Sequence, residues 1–128
     1  MVLSDVPNGR AIAKCYFVDS DNSYTVNQRI CKLGPKKTNG RFLFYILNRN
    51  PFFLAFDDGV KQTNLRKEDV LNCPLCLPSS LEEQAEIANC LTSLDDLIAA
   101  ETQKLEALKT HKKGLMQQLF PSPAEADA

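Results

Sequence analysis

The chain has 128 residues, a net charge of −1 and 44% hydrophobic residues, which fits one globular domain. No apolar run approaches the roughly 18 residues of a membrane helix, and the first residues lack the pattern of a secretory signal. Five cysteines without an export signal are typical of reduced thiols, so we expect a cytoplasmic protein that engages no membrane.

The charge is distributed unevenly along the chain. Residues 1–79 carry 11 Lys or Arg against 7 Asp or Glu, and residues 80–128 carry 4 against 9. The first part has a balance of +4 and is the part that would face a polyanion such as nucleic acid. A balance of +4 is also common on proteins that bind no nucleic acid, so the indication is weak.

The first third of the chain favours a β-hairpin. Residues 1–9 contain turn formers and little periodicity, which predicts a poorly anchored start. Residues 11–18 are apolar and β-prone, and residues 24–33 alternate between apolar and polar. The turn formers at 19–23 lie between them, so two strands joined by a short loop are expected.

The middle of the chain predicts short helices. Residues 41–49 form a compact apolar segment, and Pro51 suits the first turn of a second helix over 52–57. Five of the seven Phe lie between Phe42 and Phe56, and we expect them to build a core rather than a platform for stacking bases.

A helical turn is expected over 65–70, followed by alternating apolar residues at 71–77. Pro74 and Pro78 limit ladder pairing there, so an edge strand is predicted. Together with the long helix described next, these elements predict an α+β fold.

Residues 79–120 read as one long helix. Ser79 or Ser80 can serve as its N-cap with an acidic residue three positions on, and Pro121 prevents its continuation. Such a helix would span roughly 60 Å. The 78 residues before it cannot cover that length, so we divide the chain into a domain at 1–78, a helix at 79–120 and a disordered tail at 121–128.

Apolar residues recur along this helix at alternating steps of three and four, which is typical of a coiled-coil seam. The predicted interface residues are Ile87, Leu91, Leu94, Ile98, Leu105, Leu108, Leu115 and Leu119. Glu101 and Lys112 interrupt the seam. In an antiparallel pair of such helices, Glu101 of one helix could meet Lys112 of the other. The alternative is a helix that packs on its own domain.

No pattern in the sequence predicts an enzyme. Cys73 and Cys76 form a CxxC pair, but no second pair or His stands at the spacing of a zinc site, and the segment does not start a helix as a redox motif would. His111 has no nucleophile nearby in sequence. We therefore predict no catalytic residue, no metal and no cofactor.

Two polar and basic loops contain the candidate binding residues. Lys and Arg can position phosphates, while Gln, Asn and Arg can read base edges. The predicted DNA contacts are Lys36, Lys37, Arg41, Lys61, Gln62, Thr63, Asn64 and Arg66. Solvated loops have the same composition.

The order of three segments, residues 59–65 (GVKQTNL), 73–78 (CPLCLP) and 81–84 (LEEQ), together with the heptads that follow, is distinctive. It resembles the C-terminal part of the DNA specificity subunits of type I restriction-modification enzymes. The closing residues 112–120 (KKGLMQQLF) also look like the end of that family's spacer helix. The resemblance covers about 100 residues, most strongly 59–120.

This resemblance implies a role in reading DNA sequence without catalysis. In the family, two recognition domains each read half of a split site, two long helices pack antiparallel, and methyltransferase subunits dock on this scaffold. Residues 79–120 would then be the spacer helix, with Lys61, Gln62, Thr63 and Arg66 as the leading DNA contacts.

The chain departs from the family pattern, since it has one helix and only the later portion of one recognition domain. We therefore expect a half-subunit, a truncated frame or a fragment, whose helix pairs with a second copy or with another specificity subunit. The alternative function is an assembly or interference protein that binds specificity or methyltransferase subunits through the helix and binds no DNA.

Overall fold

The computed structural model describes residues 1–120, so the predicted disordered tail lies outside the described residues. The elements are β1 (Ser4–Asp5), α1 (Gly40–Leu47), α2 (Pro51–Leu54), β2 (Thr63–Asn64), α3 (Lys67–Leu71) and α4 (Leu81–Leu119). This confirms the α+β class. The chain divides into two compact units, Met1–Ala88 and Asn89–Ala128, and α4 begins in the first.

The described sheet has two strands that are far apart in sequence. β1 pairs antiparallel with β2, with Ser4 opposite Asn64 and Asp5 opposite Thr63. An isolated bridge joins Val2 to Ile30. The first residues are therefore anchored, and the prediction of a loose start was wrong.

The predicted hairpin of residues 11–18 and 24–33 was also wrong. Val2 N–H donates to Lys14 O at 2.9 Å and Ala13 N–H donates to Val2 O at 3.0 Å, so this backbone pairs with the start of the chain. Ala13 has a φ of 56°, a left-handed conformation that a regular strand does not contain.

Residues 16–38 contain neither helix nor named strand. Within this segment, the backbone N–H groups with a partner among residues 1–120 belong to Arg29, Ile30 and Cys31. Residues 29–31 are joined to the start of the chain by backbone hydrogen bonds, and Tyr16 and Tyr24 form a ring pair within the segment with centroids 5.5 Å apart.

The core of the first unit gathers residues from the start, the helices and β2. Phe53 and Ile12 are fully buried at its centre. The buried cluster consists of Met1, Ile12, Ala13, Leu47, Phe53 and Leu65. The expectation of a phenylalanine core holds for Phe53 and for Phe42, which is 7% exposed, whereas Phe56 lies 42% exposed.

The two short helices α1 and α2 each begin at an asparagine N-cap. Asn39 Oδ1 accepts hydrogen bonds from Arg41 N and Phe42 N, both at 3.0 Å, and so begins α1. Asn50 Oδ1 accepts from Phe52 N at 2.9 Å, with Pro51 at the first position of α2. Both predicted helices are present: α1 begins one residue earlier than predicted and ends at Leu47, and α2 ends at Leu54.

The edge strand predicted over residues 71–77 was wrong. Leu71 ends α3, and no described strand follows it before α4. Cys73 and Leu75 are half-buried against the core, which explains the alternation of apolar residues without any strand pairing.

The long helix is confirmed as α4, 39 residues and about 58 Å in length. Ser80 Oγ accepts from Glu82 N at 3.2 Å and from Glu83 N at 3.3 Å, which makes Ser80 the N-cap. The buried residues of α4 are Gln84 and Ala88, both in its first turns. No helix within residues 1–120 is long and apolar enough to cross a membrane.

Gln84 ties the start of α4 to two loops of the first unit. Its side chain is 3% exposed. Oε1 accepts from Asn39 N at 2.9 Å, and Nε2 donates to Pro78 O at 2.7 Å. Since both partners are backbone groups, only a side chain with an acceptor and a donor at this position satisfies them together.

We expect Gln84→Ala to lower the free energy of unfolding by about 2 kcal/mol, because it leaves Asn39 N–H and Pro78 C=O without partners. Urea denaturation followed by circular dichroism measures the change. Glu83→Ala, one residue earlier and exposed, is the matched control and is expected to change it by less than about 0.5 kcal/mol. Equal effects of the two variants would contradict the structural role of Gln84.

Candidate nucleic-acid interface

The polar residues of the second predicted loop lie on and around β2. Gln62 and Asn64 are exposed, whereas Thr63 between them is 5% exposed. This alternation follows from the two-residue period of a strand. The Thr63 side chain therefore faces the core, where its Oγ1 has no hydrogen-bond partner among the described residues.

The two amides form a cluster with a residue of β1. Gln62 Nε2 donates to Ser4 Oγ at 2.6 Å and lies 3.4 Å from Asn64 Oδ1, while Asn64 Nδ2 donates to Gln62 O at 3.3 Å. We call Ser4, Gln62 and Asn64 the amide ribbon. Sequence reasoning missed Ser4, because 58 residues separate it from Gln62 and no local pattern connects them.

The loop that leads into the amide ribbon is held by the carboxylate of Asp58. Asp58 Oδ1 accepts from Val60 N at 2.9 Å and from Lys61 N at 3.0 Å. The backbone N–H groups of Lys61 and Val60 lower the pKa of Asp58, because they stabilise its charged form. The backbone of Lys61 is thereby held while its side chain is exposed.

Arg66 follows the amide ribbon and precedes α3. Its backbone N–H donates to Asp69 Oδ2 at 2.6 Å, which fixes the start of that helix. Its side chain is exposed. The ribbon is thus flanked in sequence by two exposed cations, Lys61 on one side and Arg66 on the other.

The first predicted loop is separate from the ribbon. Lys36 and Lys37 are exposed, and the loop ends at Asn39, which Gln84 holds. Arg41 is half-buried, with its guanidinium carbon 4.0 Å from the centre of the Phe17 ring. This cation–π contact occupies one face of the guanidinium.

Neutral amides supply both donors and acceptors on an exposed surface. Within residues 1–120, Gln62 Oε1 accepts no hydrogen bond, so it is available to a ligand. Groups of this kind read base edges, and flanking Lys and Arg contact phosphates. Within the same residues, no group of three or more His, Cys, Asp or Glu could hold a metal ion.

The five cysteines are free. Burial raises the pKa of Cys15 and of Cys73, which disfavours the thiolate that metal binding or redox chemistry requires.

The predicted seam of α4 is exposed beyond its first turns. Packing on its own domain accounts for the buried Gln84 and Ala88. Leu91 is half-buried, Ile87 is 36% exposed, and the later positions are more exposed still. We call these later residues the apolar stripe: Leu94, Ile98, Leu105, Leu108, Leu115 and Leu119.

Comparison with known proteins gives a consistent result. Residues 12–110 match the model of the type I restriction modification DNA specificity domain. The chain is 29% identical over 99 residues to the protein assigned as the MjaX type I restriction enzyme specificity subunit of Methanocaldococcus jannaschii. It is 36% identical over 80 residues to the type I restriction enzyme MjaVIII specificity subunit of the same organism.

These matches cover most of this chain and a small part of each relative. The first covers 74% of this chain and 23% of the relative, and the second covers 62% and 19%. The chain thus matches about a fifth of the length of these curated relatives. No solved structure matches it.

Proposed function

The chain belongs to the family of type I restriction modification DNA specificity domains, and on this premise we propose that it is a non-catalytic component that contributes to DNA sequence recognition. The chain matches only about a fifth of the length of its curated relatives, and we propose further that it acts within a larger complex.

The observation that carries the proposal is the amide ribbon. Gln62 and Asn64 are exposed, Gln62 is held by Ser4 Oγ, and Asn64 is held by the backbone carbonyl of Gln62, so both amides are positioned before a ligand arrives. A Gln or Asn amide makes two hydrogen bonds to adenine in the major groove, which is worth roughly 1–3 kcal/mol of discrimination. Thr63 supports the ribbon from the core and does not contact DNA.

The exposed cations supply the part of the affinity that does not depend on sequence. Lys61 and Arg66 flank the ribbon, and Lys36 and Lys37 are exposed on the separate loop. Each phosphate that such a residue neutralises releases counterions, so binding weakens as salt rises. Arg41 is the least available of the predicted contacts, because Phe17 covers one face of its guanidinium.

The second part of the proposal is that α4 pairs with another helix and helps to hold a methyltransferase subunit. The support is the apolar stripe, whose members lie between 42% and 69% exposed. Single exposed leucines are normal on proteins, but six large apolar residues repeated along one face of an exposed helix favour an interaction surface.

Titration of fluorescent mixed-sequence duplex DNA tests the recognition role. We expect binding at low salt, with the logarithm of the association constant falling linearly as the logarithm of salt rises. Lys61→Ala/Arg66→Ala is expected to weaken binding about tenfold at low salt and to reduce the salt slope by about two. Gln62→Ala/Asn64→Ala is expected to keep this binding and to lose base preference when sites are selected from randomised duplexes.

Lys14→Ala is the control, since Lys14 is an exposed cation of the same unit outside both loops. The DNA affinity of this variant should stay near that of the unaltered chain. Absence of binding at any salt concentration would overturn the recognition role and favour the assembly or interference protein that uses only the helix.

A further inference from the structure

The turn that follows β1 lies beside the loop that leads into the amide ribbon. Asn8 Nδ2 donates to Gly59 O at 3.2 Å, although 51 residues separate the two in sequence. A Cβ placed on Gly59 would lie 3.0 Å from Asn8 Oδ1, so the Asn8 side chain is packed closely against the Gly59 backbone. Residues of this turn therefore adjoin the candidate interface.

The carboxylate of Asp5 holds the turn in place. Its Oδ1 accepts from Val6 N at 2.9 Å, and its Oδ2 accepts from Ala11 N at 2.5 Å and from Ile12 N at 3.1 Å. Gly9 N also donates to Val6 O at 2.9 Å. The backbone of the turn is thus fixed before any ligand binds, which is a requirement for a surface that selects between ligands.

Each of these two neighbouring segments carries an exposed valine. Val6 is 64% exposed, and Val60, which follows Gly59, is 75% exposed. The backbone of Val60 is also fixed, since its N–H donates to Asp58 Oδ1 at 2.9 Å. An exposed valine is ordinary on a protein surface, so exposure alone indicates nothing. The position of this pair beside the amide ribbon is what gives it a possible ligand.

An A·T base pair offers two features next to each other in the major groove. The adenine presents N6 and N7, which a Gln or Asn amide can bind, and the thymine presents a 5-methyl group, which an apolar side chain can contact. The amide ribbon supplies groups for the first feature, and the two valines supply apolar surface for the second. Ser4 connects the two sets, because its Oγ accepts from Gln62 and it directly precedes Asp5.

We propose that Val6 and Val60 contact thymine 5-methyl groups in duplex DNA and so give the chain a preference for A·T pairs. This deepens the proposed function and rests on it. The contact involves no charge, so it changes which duplex binds best and leaves the salt dependence of binding unaltered. Each methyl group that the contact removes from water is worth about fourfold in affinity.

Replacing thymine by deoxyuridine tests the proposal, because deoxyuridine pairs with adenine in the same way and lacks the methyl group. The probe is the duplex that the unaltered chain selects from a randomised pool, titrated with and without this replacement at one salt concentration. We expect the unaltered chain to bind the deoxyuridine duplex at least about fourfold more weakly. Val6→Ser/Val60→Ser should bind the two duplexes equally, and Val6→Thr/Val60→Thr, which keeps a methyl group on each side chain, should recover part of the difference.

Val18→Ser is the matched control, since Val18 is 54% exposed in the same unit and lies outside both loops and the turn. This variant should retain the full preference for the thymine duplex. Urea denaturation of every variant checks that the first unit remains folded.

The outcomes separate this inference from the proposed function. Salt-dependent binding with equal affinity for the two duplexes, or a selection that enriches no A·T pairs, would overturn the methyl contact and leave the DNA recognition role standing. A thymine preference that Val6→Ser/Val60→Ser retains would show that other residues make the contact. A preference that these serines abolish and Gln62→Ala/Asn64→Ala retains would support the methyl contact without the amide ribbon. Absence of DNA binding at any salt concentration would overturn both.

Discussion

Replacing Phe53 by alanine is expected to cost the first unit about 3–5 kcal/mol of unfolding free energy. Phe53 is fully buried and belongs to a buried cluster of only six residues. Its ring also lies in an edge contact with Phe52, with centroids 5.4 Å apart. Because domains are stable by roughly 5–15 kcal/mol, this loss would remove a large share of the stability of the unit.

Guanidinium denaturation followed by tyrosine fluorescence measures this loss, since Tyr16, Tyr24 and Tyr45 all belong to the first unit. Phe56→Ala is the matched control, because Phe56 is 42% exposed three residues along the chain. It should cost about 1 kcal/mol or less. Similar midpoints for the two variants would show that Phe53 is not the centre of the core.

Replacing Leu105 by aspartate is expected to abolish pairing of α4 at concentrations where the unaltered chain is dimeric. Leu105 is 52% exposed and lies near the middle of the apolar stripe. A paired helix would have to bury one carboxylate from each copy against apolar side chains, a cost that charge repulsion increases. We expect the dimer dissociation constant to rise at least a hundredfold, or about 2.7 kcal/mol.

Sedimentation equilibrium measures this change. Gln103→Asp is its control, because it places the same side chain on the same exposed helix but off the stripe. That variant should dimerise as the unaltered chain does. If both aspartate variants weakened dimerisation equally, net charge rather than the stripe would account for the effect.

The helices were predictable because their signals are local. The Ser80 cap, the heptads and the prolines that bound α4 lie within the helix or next to it in sequence. Asn39 and Asn50 cap α1 and α2 in the same local way. A helix closes its hydrogen bonds within a few residues, so its ends can be recognised from adjacent residues.

The strand pairing could not be predicted in this way, because a strand needs a partner that sequence spacing does not identify. β-prone residues at 11–18 and 24–33 suggested a hairpin, whereas the pairing observed joins residues near 4 to residues near 64. The left-handed backbone conformation of Ala13 interrupts the extended strand that was predicted there. The residue type does not predict it, since this conformation is uncommon for residues other than glycine.

The candidate interface was predictable in composition but not in arrangement. Gln62 and Asn64 were identified from residue type, and the structure exposes both. The side chain of Thr63 faces inward because β2 is a strand. A strand of two residues is too short to be predicted from its sequence. The contribution of Ser4 depends on the long-range pairing of β1 with β2.

The sparse hydrogen bonding of residues 16–38 has a consequence for the time scales on which parts of the chain open. Amides without a partner exchange with solvent at nearly the rate of an unfolded peptide, whereas those in a packed core exchange only on larger openings. Deuterium uptake would therefore be complete in this segment, apart from Arg29, Ile30 and Cys31, while Phe53 and its neighbours remain protected. A partner that orders this segment must offset roughly 1–2 kcal/mol of backbone entropy for each residue it fixes.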